Sequence, residues 1–233
     1  MQNFTDDTIT ITELHINRAE ALRYLHINGQ APAEILADLA AAEQQLLQTA
    51  QPRFVWQEFA LQKAEEIALT GTNLTLKGAD IAELLQDCDR CILLAATLGL
   101  AVDELIRRTE LTDMSRALML DACASAAVEN LCDRVQQQLA EQFAAQGRYL
   151  TDRFSPGYGD LPLSLQKPLC ATLNAQRLIG LTVSGSGILL PRKSVTAIIG
   201  ISSRPQAKRQ SGCATCNLAA TCPFRKAGQN CGK

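Results

Sequence analysis

Polar and apolar residues alternate from Thr8 to Ile16, which predicts a strand near the start of the chain. Asn17 then opens helical spacing over Arg18 to Leu25, which stops near Gly29. Pro32 begins an Ala-, Leu-, Glu- and Gln-rich helix running to about Ala50, and Pro52 ends it. A proline is tolerated there because the N–H it lacks has no helical partner at that position. Residues 53–61 read as a strand, and 74–76 as a short extended piece between Gly71 and Gly78. A helix over 79–86 follows. Residues 91–99 then form a continuous apolar run closed by Gly99, the pattern of a strand buried on both faces. A further helix covers about 100–108.

The clearest element is a long helix over 113–146. Val128, Leu131, Val135, Leu139 and Phe143 recur on one face, and Gly147 stands where a C-terminal cap belongs. Its first half is rich in small residues (Ala117, Ala122, Cys123, Ala124, Ser125, Ala126, Ala127), which let another backbone or a ligand approach closely, tight packing on a sheet being the simpler use. Beyond it come Tyr149 to Phe154, a Pro/Gly loop and a short helix over 165–174. Two more strands lie within 178–201, separated by a hairpin turn at 184–187 and by Pro191-Arg-Lys193. The class predicted is α+β, with about five strands.

Composition adds to this picture. Of 233 residues, 47% are apolar and only 4% aromatic, so the core must be aliphatic. The net charge of -2 offers no general attraction to nucleic acid or to a membrane surface. The charge is unevenly spread, however. Residues 204–233 carry six basic residues and no acidic ones, leaving 1–203 with 16 basic and 24 acidic residues. The expected division is a folded body over 1–203 and a basic, cysteine-rich tail over 204–233. No basic segment followed by an apolar one opens the chain, and no apolar run reaches 18 residues. The odd count of nine cysteines then reads as thiols or metal ligands, and a cytoplasmic location is expected.

Chemistry concentrates in two places. The tail holds Cys213-x2-Cys216-x5-Cys222-x8-Cys231, four thiols suited in number to one zinc ion or an iron–sulfur cluster. Cys88 and Cys91 share the x2 spacing, but they read as core residues, Cys88 ending a helix and Cys91 beginning a strand. Cys123, Cys132 and Cys170 read the same way. With only His15 and His26, a histidine-rich metal site is excluded. The second place is Thr151-Asp-Arg-Phe-Ser-Pro-Gly-Tyr-Gly-Asp160. Pro156 and Gly157 set a sharp turn. Arg153 before it can grip a carboxylate with two parallel hydrogen bonds, and Tyr158 at its tip offers a flat face with a polar end.

This loop resembles the Arg-x-x-x-Gly-Tyr signature of the activation domain of cobalamin-dependent methionine synthase. Leu94 to Gly99, Asp121 to Glu129, Arg153 to Asp160 and Pro191 to Gly200 are similar, in that order, to short stand-alone bacterial members of the family. The resemblance spans roughly residues 10–203. It implies a curved, mostly antiparallel sheet with packed helices. It also implies a module that binds S-adenosylmethionine and docks on cobalamin carried by a partner. A reductant such as flavodoxin supplies an electron to oxidised cobalamin there, and S-adenosylmethionine supplies the methyl group. By this resemblance Arg153 holds the ligand's carboxylate, and Ser155, Pro156 and Gly157 line it. Tyr158 sits by the corrin, at the catalytic step. Glu129 faces the ammonium or supports the loop, although read from the residues alone it is a solvated helix carboxylate. The long enzymes have Gly-Tyr-Pro where Gly159 follows Tyr158 here, which predicts a more flexible loop.

The chain has no Asp-x-His-x-x-Gly cobalamin motif. The resemblance therefore implies an activation subunit without a complete active site, serving a methionine synthase that lacks its own activation domain. The alternative is a metal- or iron–sulfur-binding redox or scaffold partner of another corrinoid methyltransferase, working through the tail.

Overall fold

The computed structural model describes residues 14–27, 29–206 and 221. Two helices, α1 (Arg18–Tyr24) and α2 (Ala33–Thr49), precede strands β1 (Arg53–Lys63), β2 (Ile67–Leu69) and β3 (Thr75–Leu76). Helix α3 (Ala79–Leu84), strand β4 (Cys88–Thr97) and helices α4 (Leu100–Glu110) and α5 (Met114–Ala144) follow. The chain then forms β5 (Tyr149–Leu150), a 3-10 turn (Leu163–Leu165), α6 (Gln166–Thr172) and α7 (Ala175–Ile179). It continues through β6 (Thr182–Val183), β7 (Leu189–Leu190) and β8 (Ser194–Ser202). Six strands make one antiparallel sheet in the order β3-β2-β1-β4-β8-β5, while β6 and β7 form a separate hairpin.

Local chemistry places the helix starts. The Asn17 side chain accepts from the Glu20 N–H at 3.2 Å, and Asp113 accepts from the Arg116 N–H at 2.9 Å. Each satisfies a backbone donor that the first helical turn leaves without a partner. Pro32 stands at the N-cap of α2, so the helix begins at Ala33, one residue later than predicted.

Strand β4 lies at the centre, paired with β1 on one side and β8 on the other. Ile92, Leu94 and Ala96 face a core shared with α1, α2, α4 and α5, to which Phe54, Trp56 and Ile199 contribute. Cys91, Leu93 and Ala95 face a second core with Val55, Ile198, Ile81, Leu169 and Ile179. The apolar run thus fills both faces of a sheet held between two helical layers, as its pattern predicts. Among the small residues of α5, Cys123, Ala124, Ala126 and Ala127 are fully enclosed in the first core, and Ala117 and Ala122 are also buried.

Three expectations are corrected. Residues 14–17 are not a strand: Leu14 and Ile16 enter the core as irregular chain beside α5, where the His15 N–H donates to Asn130 Oδ1 at 3.0 Å. Alternation there serves packing on a helix and not a sheet; residues 8–13 lie outside the described residues. The strands among the described residues number eight, not about five, because several are two or three residues long and too short to show a period. Cys88 begins β4 and does not end a helix. An irregular register between Cys88 and Arg90 brings Cys88 onto the same face as Cys91.

The edge segment β5 is tied to β8 through Gly200. The Gly200 N–H donates to Thr151 Oγ1 at 2.8 Å, and its carbonyl accepts from the Thr151 N–H at 3.0 Å. A Cβ at Gly200 would stand 2.5 Å from Cys88 Sγ and 2.9 Å from Thr151 Cγ2. Gly200→Ala is therefore expected to cost about 1–3 kcal/mol by overpacking, read as a lower urea midpoint. An unchanged midpoint would mean that these neighbours yield freely.

Candidate functional site

The loop that carries Arg153 is built on the edge of the sheet. After β5 the chain continues along β8, with Phe154 and Ile198 exchanging backbone hydrogen bonds at 2.9 and 2.8 Å. Neighbouring side chains on an extended chain point to opposite faces. Phe154 accordingly packs into the core on the α3 and α6 side, while Arg153 turns towards α5.

On α5 three acceptors meet the guanidinium. Arg153 Nη1 donates to Gln136 Oε1 at 2.8 Å, and Nη2 donates to Asp133 Oδ1 at 2.6 Å and lies 3.5 Å from Glu129 Oε2. Residues 129, 133 and 136 share one helix face by their spacing of four and three. Gln136 also donates to the Thr151 carbonyl at 3.1 Å, so one amide fixes both the edge strand and the arginine. The Arg153 side chain is only 18% exposed. Burial works against its charge, but the Asp133 and Glu129 carboxylates beside it favour the charged form, and its pKa is raised.

The turn after Arg153 is braced from below. Pro156 is buried, the Gly157 N–H donates to the Leu161 carbonyl at 2.9 Å, and the Tyr158 N–H donates to the Ser155 carbonyl at 3.1 Å. Asp160 accepts from the N–H groups of Ala79 and Asp80 at 2.5 and 3.1 Å, capping α3. In return the Asp160 N–H donates to Asp80 Oδ2 at 3.2 Å. The approach is so close that a Cβ at Gly159 (φ +53°) would overlap the Asp80 carboxylate. Gly159 thus permits contact with α3, and these bonds hold the end of the loop against that helix.

The other end of the same α5 face carries a second cation. Lys193 Nζ lies 2.8 Å from Asp121 Oδ1 and donates to Ser125 Oγ at 2.9 Å. Its backbone is held by the Leu98 N–H, which donates to the Lys193 carbonyl at 3.0 Å. Asp121, Ser125, Glu129, Asp133 and Gln136 therefore form one polar stripe, with Lys193 bound near its start and Arg153 near its end.

Tyr24 lies within electrostatic reach of both Glu129 and Tyr158. Tyr158 is 68% exposed at the tip of the turn. Tyr24, on α1, has the Arg23 guanidinium 4.9 Å from its ring centre. Burial raises the Tyr24 pKa, and the negative charge of Glu20 and Glu129 and the nearby Tyr158 phenol push the same way. Exposed Leu163 bears on Gly157 and on Gly187 of the β6–β7 turn, so the arginine loop and this hairpin abut.

Arg153 and Glu129, named from sequence, meet here, and Ser155, Pro156 and Gly157 form the turn that carries exposed Tyr158. Asp121, Asp133, Gln136, Lys193 and Tyr24 were not singled out. Their spacing on α5 was legible as a helix face, but nothing local distinguishes such a face from an ordinary solvated one. Cys213, Cys216, Cys222 and Cys231 lie outside the described residues. Cys88, Cys91, Cys123, Cys132 and Cys170 are buried free thiols. Burial pushes Cys91, Cys123 and Cys132 up to about 12, and Cys88 and Cys170 to about 11, so all five stay protonated and inert near neutral pH. Among the described residues no cluster of three or more His, Cys, Asp or Glu could hold a metal, and no helix is long and apolar enough to cross a membrane. An open cleft of about 450 Å³ lies elsewhere, between Gln57 and Phe59 of β1, the β2–β3 turn and α6.

The bracing can be tested at Asp160. Asp160→Ala removes the cap of α3 and the underside of the turn. The expected result is a loss of about 1 kcal/mol in denaturant unfolding, with faster amide exchange at Gly157 and Tyr158. Unaltered exchange at those amides would show that the turn holds without α3.

No family model matches the chain, and no curated protein sequence matches it. The fold, however, is similar to a solved structure, the MetH reactivation domain bound to AdoHcy. The TM-score is 0.67 and the identity 17%, over 90% of this chain and 81% of that one.

Proposed function

We propose that this chain binds S-adenosylmethionine at Arg153 and assists the reductive methylation of cobalamin held by a partner, a methionine synthase core without its own activation domain. The observation that carries this reading is the pairing of Arg153 with Glu129 of α5, a mostly buried cation beside a half-exposed carboxylate, with Tyr158 exposed at the tip of the turn. An amino-acid group presents the complementary charges, a carboxylate for Arg153 and an ammonium for Glu129. The likeness of the fold to a reactivation domain that binds AdoHcy supports the same assignment.

When bound, S-adenosylmethionine supplies an activated methyl group to the partner's corrinoid. What this chain contributes is position. Gln136 and the β8 edge hold Arg153 in place, and the α3 cap holds the turn. Exposed Tyr158, together with Leu163, Ile188 and Leu190 of the abutting segments, offers an apolar surface for the partner. A soluble reductant such as flavodoxin would complete the system.

Calorimetric titration of S-adenosylmethionine tests this directly. Arg153→Ala should weaken binding by roughly 10- to 100-fold, the scale of charge-assisted hydrogen bonds. Tyr158→Ala should keep the ligand but slow methylation of the partner's cobalamin. Full affinity in the Arg153 variant would remove the assignment.

A second reading rests on the tail. The spacing of Cys213, Cys216, Cys222 and Cys231 favours a zinc or iron–sulfur ligand set, which would make the chain a redox or scaffold partner of a corrinoid methyltransferase. Anaerobically purified protein should then contain zinc or iron that is lost when these cysteines are replaced by serine. Metal-free protein would exclude it.

A further inference from the structure

We infer that Asp133 is a placeholder for the ligand's carboxylate, occupying Arg153 while the site is empty and leaving it when the ligand arrives. The inference rests on the proposed binding of an amino-acid ligand at Arg153.

The geometry separates the partners of the guanidinium by their freedom to leave. Gln136 is fixed, because its amide is also bonded to the Thr151 carbonyl. Glu129 is distant at 3.5 Å and makes only a weak contact. Asp133 makes the short bond, at 2.6 Å, yet its side chain is 69% exposed. Turning into water costs the Asp133 carboxylate itself little, because it is already mostly solvated. Arg153, at 18% exposed, could not stand there without a countercharge at small cost. Asp133 therefore keeps the buried guanidinium compensated and aimed, and it occupies the Nη2 donor that an incoming carboxylate needs. The exchange conserves charge: one carboxylate replaces another, and Glu129 stays beside the arginine for the ammonium.

This arrangement predicts competition. Asp133→Asn keeps an acceptor oxygen but removes the competing charge. The full chain and this variant are titrated with S-adenosylmethionine and with its decarboxylated analogue. The variant should bind S-adenosylmethionine roughly 2- to 5-fold more tightly, the range of an exposed ion pair, with no change for the analogue, which has no carboxylate to compete. Equal or weaker binding of S-adenosylmethionine by the variant, with the unaltered chain binding normally, would show that Asp133 merely positions Arg153 and would overturn the inference. A gain shared equally by both ligands would overturn it too. Failure of the unaltered chain to bind S-adenosylmethionine at all would instead remove the reading of the site, and the placeholder with it.

Discussion

Strand β4 has no polar face to turn outward. Ile92, Leu94 and Ala96 fill one side and Cys91, Leu93 and Ala95 the other, each fully buried. Exposing either face would forfeit on the order of 1.5–3 kcal/mol for each large side chain, so both must be covered by helices. Helices α1, α2, α4 and α5 cover one side, and α3, α6 and α7 the other. The chain must therefore pass between the layers, through β1 to β3 to reach α3, back through β4 to α4, and once more around the sheet edge. This last passage runs beside β8, between the end of α5 and the start of α6, and that crossing is the loop carrying Arg153 and Tyr158.

The crossing explains why binding groups gather there. Arg153 faces the layer that the chain has just left, and Phe154 the layer that it is entering. Asp160, seven residues past Arg153, already caps a helix of the second layer. A turn held at both ends presents its tip without needing rigidity of its own. Gly157 and Gly159, which would loosen an isolated peptide, serve here as points of close approach to Leu163 and Asp80. The electrostatics follow from the same placement. A guanidinium led from an edge strand onto a helix face needs acceptors at helical spacing, and α5 provides them at 129, 133 and 136.

Much of this was legible in the residue pattern. The apolar run at 91–99 implied the buried strand, and the stripe from Val128 to Phe143 implied the long helix. Pro156 and Gly157 marked the turn. These features are local: their cause lies within a few residues of where they act. Other features were not local. Strand β5 is held by β8, far along the chain, and β2, β6 and β7, though paired with near neighbours, have too few residues to show alternation. Leu14 and Ile16 alternate like a strand, but a helix supplies their contacts. Cys88 reads from sequence as the end of a helix, because the register irregularity that puts it in the sheet is a property of its pairing with β8.

By itself, then, the sequence determined the α+β class, the long helix and the arginine–tyrosine turn, because periodicity and turn chemistry act over short range. Glu129 read equally well as a solvated carboxylate, and Asp133, Gln136 and Lys193 carried no signal of their own. Only the tertiary structure decided that these residues share a stripe with a cation at each end. That choice depended on which face of α5 the sheet left uncovered and on which strand edge delivered Arg153 to it. Both are settled by packing between segments far apart in the chain, which local pattern does not encode.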